Sequence, residues 1–158
     1  MLTYGACRRV GVALAVGFAL ASCGGSSSRP ALSKMQFTSR ANAACAAADA
    51  RVEGFQAPSD LASLATFAAQ VVPVAEDLKR KLSALVPPSP QQAEYRKMLD
   101  LLGQQITKYS DFRRAAEAGD EQRAETIGND VNALSERFNS DAIDLGLPEC
   151  ARNAQPQG

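Results

Sequence analysis

Seventeen carboxylates, four cysteines and no histidine bound the chemistry open to this chain of 158 residues. Without histidine there is no side chain whose ordinary pKa lies near neutrality, and the commonest metal ligand is missing. Ser-His-Asp and Cys-His catalysis, His-ligated zinc and His-ligated haem are therefore excluded, and Met35 and Met98 lie at no informative spacing for a substitute ligand. Carboxylate chemistry survives. Asp49 and Glu53 stand four residues apart, and Glu117, Glu121 and Glu125 form a second group. Paired carboxylates can exchange protons or hold Ca²⁺. The second group, however, straddles a helix start, where the helix dipole favours acids for structural reasons alone. The structural reading is preferred, so no catalytic residue, metal ligand or cofactor site is expected and the protein is not read as an enzyme.

Three of the cysteines, Cys23, Cys45 and Cys150, have assignable roles. Cys23 directly follows MLTYGACRR and the apolar run VGVALAVGFALAS, and completes the stretch LASC with the last three residues of that run. A positive start, a short apolar core and small residues near its end describe an export signal. The run is too short for a membrane span, which needs about 20 residues. Ala19-Leu20-Ala21 has the form of an ordinary secretory cleavage site, while Leu20-Ala21-Ser22-Cys23 resembles a bacterial lipobox at every position. That resemblance implies a diacylglyceryl group on the Cys23 thiol and cleavage before it. Two acyl chains give stable attachment where one is marginal. Cysteine parity favours this reading: Cys7 leaves with the signal, Cys23 is consumed by lipid, and Cys45 and Cys150 remain as an even pair in an oxidising compartment. They are not a C-x-x-C pair, so a structural bridge is preferred to a redox role.

The expected organisation is a signal at 1–22, a Gly/Ser tether at 23–32, a folded domain at 33–150 and a disordered tail at 151–158. Loss of the signal removes Arg8 and Arg9 and no acid, leaving 15 basic against 17 acidic residues. That balance offers neither the basic excess of a nucleic-acid binder nor a polybasic patch for anionic lipid.

From Ser33 onward, four helical patterns position these groups. The first runs from Ser33 to about Val52, with a Ser33–Gln36 capping box and Phe37, Ala41, Cys45, Ala48 and Val52 on one face. Gly54 and Pro58 break it. The second starts at Ser59 and runs to about Leu85, with apolar residues from Leu61 to Leu85 alternating steps of three and four; Pro73 predicts a kink near residues 69–72. VPPSP stops it. Ser89, Pro90 and Gln92 read as N-cap, first-turn proline and capping-box partner. The third pattern then carries Tyr95, Leu99, Leu102, Ile106 and Tyr109 to about Ala118. Gly119 and Asp120 read as a stop and an N-cap. The fourth holds Ala124, Ile127, Val131, Leu134, Phe138 and Ala142 until Gly146. The fold expected is all-α, an up-down-up-down four-helix bundle with a kinked second helix. Its topology places the end of the fourth helix beside the start of the first, where Cys45 and Cys150 can meet in one stapling disulfide.

FTSRANAAC, ALVPPSP, EAGD and DLGLPECA together resemble a group of small, Ala-rich exported bacterial proteins, often lipoproteins of high-G+C organisms, with a terminal LGL-x-x-C. The resemblance spans roughly residues 37–151. It implies a fold and a disulfide, and brings no catalytic residues. The functional expectation is a lipid-anchored protein on the extracytoplasmic side of a cell membrane. Its partners would be membrane lipid through Cys23 and an envelope protein, not nucleic acid. The alternative is a bundle that binds a small molecule between its helices, which a polar groove or dry cavity in the core would favour.

Overall fold

The computed structural model of the protein describes residues 29–154. The signal, Cys23 and the tether through residue 28 lie outside the described residues, as do residues 155–158 of the expected tail.

α1 spans Lys34–Glu53 and opens with the expected capping box: the Gln36 N–H donates to Ser33 Oγ, and the Ser33 N–H to Gln36 Oε1. Phe37, Ala41, Cys45 and Ala48 are its buried face, while Val52 is half-buried. α2 spans Leu61–Ser83. Its N-cap is Asp60, one residue later than expected. The Asp60 carboxylate accepts the Ser63 N–H at 2.7 Å, and Ser63 Oγ accepts the Ser59 and Asp60 N–H groups, each at 2.9 Å. A carboxylate at this position also opposes the positive end of the helix dipole, which a serine does not; these bonds hold the Asp60 carboxyl below its ordinary range. The helix runs on through Pro73. Pro73 and Ala69 are both exposed, so the carbonyl deprived of its N–H partner faces water and not the core.

Ser89 does not cap the next helix. Ser89–Gln91 forms a 3₁₀ turn, in which the Gln91 N–H donates to the Pro88 carbonyl at 2.9 Å and so uses the donor a cap would have taken. α3, Gln92–Glu117, follows directly. It ends in a left-handed Gly119 with φ 69°. The Asp120 N–H reaches the Ala115 carbonyl and the Gly119 N–H that of Ala116, the paired bonds of a Schellman stop. Asp120 then caps α4, Glu121–Asp144, through the Arg123 N–H. Gly146, φ 74°, repeats the Schellman arrangement with Leu147 bonded back to Ala142. A second 3₁₀ helix, Pro148–Ala154, carries the chain past residue 150, where the tail was expected to begin.

Among the described residues there are four α-helices and no strand. α2 packs between α1 and α3, and α3 also packs against α4. α2 is also long and apolar enough, by length and composition, to cross a membrane; here it is the shared neighbour of two helices. The ring closes in an unexpected way. α1 meets the C-terminal 3₁₀ helix, which in turn packs on α4. The ends do approach as the topology requires: a Cβ at Gly146 would lie 3.9 Å from Thr38 Cγ2, and the Glu149 N–H donates to Asn42 Oδ1 at 3.1 Å. At this end Phe37, Leu82, Tyr95, Met98, Ala142 and Leu147 form the tightest part of the core. Phe37 meets Tyr95 edge to face at 4.9 Å. Residues 29–32 join the same end: Arg29 donates to the Ala84 carbonyl, and the Leu32 N–H to that of Val86 at 2.8 Å.

Candidate functional site: an interhelical cleft

The 3₁₀ helix Pro148–Ala154 stands between α1 and α4 and packs on both. Toward the middle of the bundle the gap between the helices becomes a cleft of about 270 Å³ lined by all four of them. This is just below the roughly 300–1,000 Å³ of typical small-molecule sites.

Cys45 and Cys150 are part of the cleft lining. They are joined, with Cα atoms 4.9 Å apart, and both are buried. α1 adds Ala48 and Val52, small and β-branched side chains that do not fill the space, together with the half-buried carboxylate of Asp49. α2 supplies an apolar wall from Phe67 to Leu78. α3 and α4 are different in character. Gln105 and Tyr109 come from the first, Ser135 and Asn139 from the second, beside Leu102 and Phe138.

Gln105 and Asn139 are 8% and 6% exposed. Their side-chain nitrogens, Gln105 Nε2 and Asn139 Nδ2, are covered from solvent and meet no acceptor in the protein. A buried amide donor without a partner costs on the order of 1–3 kcal/mol, so these two oppose folding. The Tyr109 phenol is also in the lining, and burial raises its pKa above the ordinary value. No lysine or arginine lines the cleft. The arrangement is a largely apolar chamber with neutral hydrogen-bonding groups on the α3–α4 side and the Asp49 carboxylate on the α1 side.

The residues singled out from sequence fall in different places. Cys45 and Cys150 are brought together as expected. Cys23 lies outside the described residues. Asp49 lines the cleft, while Glu53 is exposed at the end of α1. Glu117 pairs with Arg113 at 3.7 Å. Glu121 and Glu125 line a separate shallow groove beside Asp60 and Phe112. Among the described residues no three cysteine or carboxylate side chains gather to hold a metal ion. Met35 is exposed and Met98 fully buried. Gln105 and Asn139 escaped the sequence reading. Their signal was available: Gln105 stands four residues after Leu101 and three after Leu102, and Asn139 three before Ala142, so both amides sit in the register of core residues. Comparison of the chain with protein-family models, with curated proteins and with solved structures gave no match.

Proposed function

We propose that this protein is an extracytoplasmic lipoprotein, anchored through Cys23, whose helical domain binds a small molecule in the cleft between α1 and α4. The observation that carries the reading is the cleft itself, lined by all four helices, with Asp49, Gln105, Tyr109, Ser135 and Asn139 set among apolar side chains. The other reading, a helical surface for an envelope protein, calls for an exposed apolar patch larger than about 300–600 Å². Met35 and Ile143, at 78% and 63% exposure, are the large apolar side chains that the described surface shows, and two side chains supply much less. The cleft therefore favours ligand binding. Carboxylate catalysis gains no support, because Asp49 and the Glu121–Glu125 pair belong to different sites.

Mass spectrometry of the protein extracted from its own membranes tests both halves. The denaturing mass is expected to lack residues 1–22 and to carry a diacylglyceryl group and one disulfide. The native mass is expected to exceed it by a discrete, reproducible amount. Equal masses would argue against a retained ligand. Separately, Cys23→Ala is expected to release the protein from sedimented membranes without changing its helical content. Continued sedimentation would defeat the anchor.

A further inference from the structure

Among the described residues that line the cleft, one carries a formal charge, and it is negative: Asp49 of α1. No lysine or arginine accompanies it in the lining. We infer that the ligand is a small organic monocation, an amine or quaternary ammonium carried on a hydrocarbon body. The inference rests on the ligand-binding reading above.

The hydrocarbon body follows from the walls. Phe67, Val71, Val74 and Leu78 of α2 present apolar surface, and covering it favours an apolar occupant. A volume of about 270 Å³ keeps that occupant small and excludes a whole diacyl lipid.

The charge follows from Asp49. It is half-buried on the α1 wall, so an occupant that displaces water from the cleft also takes hydration from the carboxylate. Burying a charge is costly unless an opposite charge compensates it. A neutral occupant supplies no compensation, and an anion adds repulsion. A cation offsets the loss, and one carboxylate answers one positive charge. The attraction falls only as the inverse of distance, so contact with Oδ2, which is covered, is not required. Asp49 also interacts within the protein, and the described lining still holds no cation.

The rings supply the third argument. α2, α3 and α4 each contribute an aromatic side chain to the cleft: Phe67, Tyr109 and Phe138. Aromatic rings are apolar surface whose faces attract cations. A lining of this kind accepts both parts of an apolar amine, where an aliphatic lining would accept the hydrocarbon alone.

Equilibrium dialysis of the full chain in discs of zwitterionic lipid, with empty discs subtracted, tests the class. Three naphthalenes substituted at one position serve as probes: the trimethylammonium, the tert-butyl hydrocarbon of the same shape, and the carboxylate. The cation is expected to bind about tenfold tighter than the anion. Asp49→Asn, checked for unchanged helicity by circular dichroism, is expected to erase this preference while leaving the hydrocarbon's binding unchanged. Ser135→Lys, checked in the same way, sets a positive charge in the lining without altering Asp49 and is expected to reverse the preference. Anion binding that equals or exceeds the cation's, or binding of the hydrocarbon alone, overturns this ligand class and leaves the cleft as a binding site. A cation preference that survives either variant overturns the placement beside Asp49. No binding of any probe overturns the ligand-binding reading itself.

Discussion

The Tyr95 hydroxyl donates to the Leu82 carbonyl at 2.8 Å, and the same carbonyl accepts the Leu85 N–H at 2.9 Å. One backbone oxygen thus ties the end of α2 to the beginning of α3, and Phe37 of α1 meets the Tyr95 ring edge-on. Three helices meet at one phenol.

Burial raises the Tyr95 pKa well above its ordinary 10.0. Above pH 10 the unfolded chain releases this proton while the folded chain keeps it, so the contribution is fully present below pH 10 and is lost as pH rises beyond it. Tyr109 is raised by burial too and acts with the same sign. Tyr95→Phe is expected to lower stability near neutral pH by about 1 kcal/mol, the net worth of one hydrogen bond. It should also make the alkaline loss of stability shallower. Thermal melts of both proteins between neutrality and strong alkali check this; parallel curves would show that the phenol proton plays no part.

The disulfide closes a loop with a sequence separation of 105. Chain-entropy reasoning assigns about 4.7 kcal/mol to a loop of on the order of 100 residues. Reduction, or Cys45→Ser, is expected to lower the unfolding free energy by most of that amount, read from denaturant unfolding. Location in the cell should not change if attachment runs through Cys23, as proposed. The largest loosening should fall where α1 meets the C-terminal 3₁₀ helix, read as faster amide exchange at Glu149, whose N–H is held by Asn42.

Asn139→Leu and Gln105→Leu are expected to raise the melting temperature of the empty protein. Each replaces a buried donor without a partner by an apolar group of similar size, a change that is neutral to stabilising by up to a few kcal/mol. Ligand sites commonly hold such groups at a cost in stability. A fall in melting temperature in both variants would mean that the amides are partnered in solution.

Two glycines give opposite expectations. Gly146 has a left-handed φ of 74°, with Thr38 Cγ2 no nearer than 3.9 Å to an added Cβ. Gly146→Ala should therefore cost about 1 kcal/mol through backbone strain, without a clash. Gly128 lies inside α4, where an added Cβ would meet Phe112 Cε2 at an ordinary 3.7 Å. Gly128→Ala should stabilise by about 0.5–1 kcal/mol through helix propensity. Denaturant unfolding of the two variants side by side reads the contrast.

Much of the bundle was legible because its punctuation is local. The Ser33–Gln36 box, the Gly119 and Gly146 stops and the Asp120 cap each act within a few residues, so the chain displays them directly. The buried face of α3 was less accessible. Reading one stripe through Leu99 and Ile106 captured one side of a helix that contacts both α2 and α4. Such a helix buries a wide arc, and Met98, Leu101 and Gln105 lie on the part the stripe left out. The cleft was hidden for a different reason. It exists because the short 3₁₀ segment after Pro148 stands where α1 and α4 would otherwise meet, and that is a fact of tertiary placement that no local pattern encodes.

The bonds from Arg29 and Leu32 to the α2–α3 link change what the N-terminal segment can do. With residues 29–32 fastened along the domain, Arg29 stands six positions after Cys23, a leash of at most about 21 Å. An acylated Cys23 would then hold the domain by one end and limit how it leans. The α2–α3 link and the end of α4 would face the headgroups, and the α3–α4 turn would point outward. The cleft, midway along the helices, would stand side-on to the bilayer, no farther from it than the leash and half the length of the bundle allow.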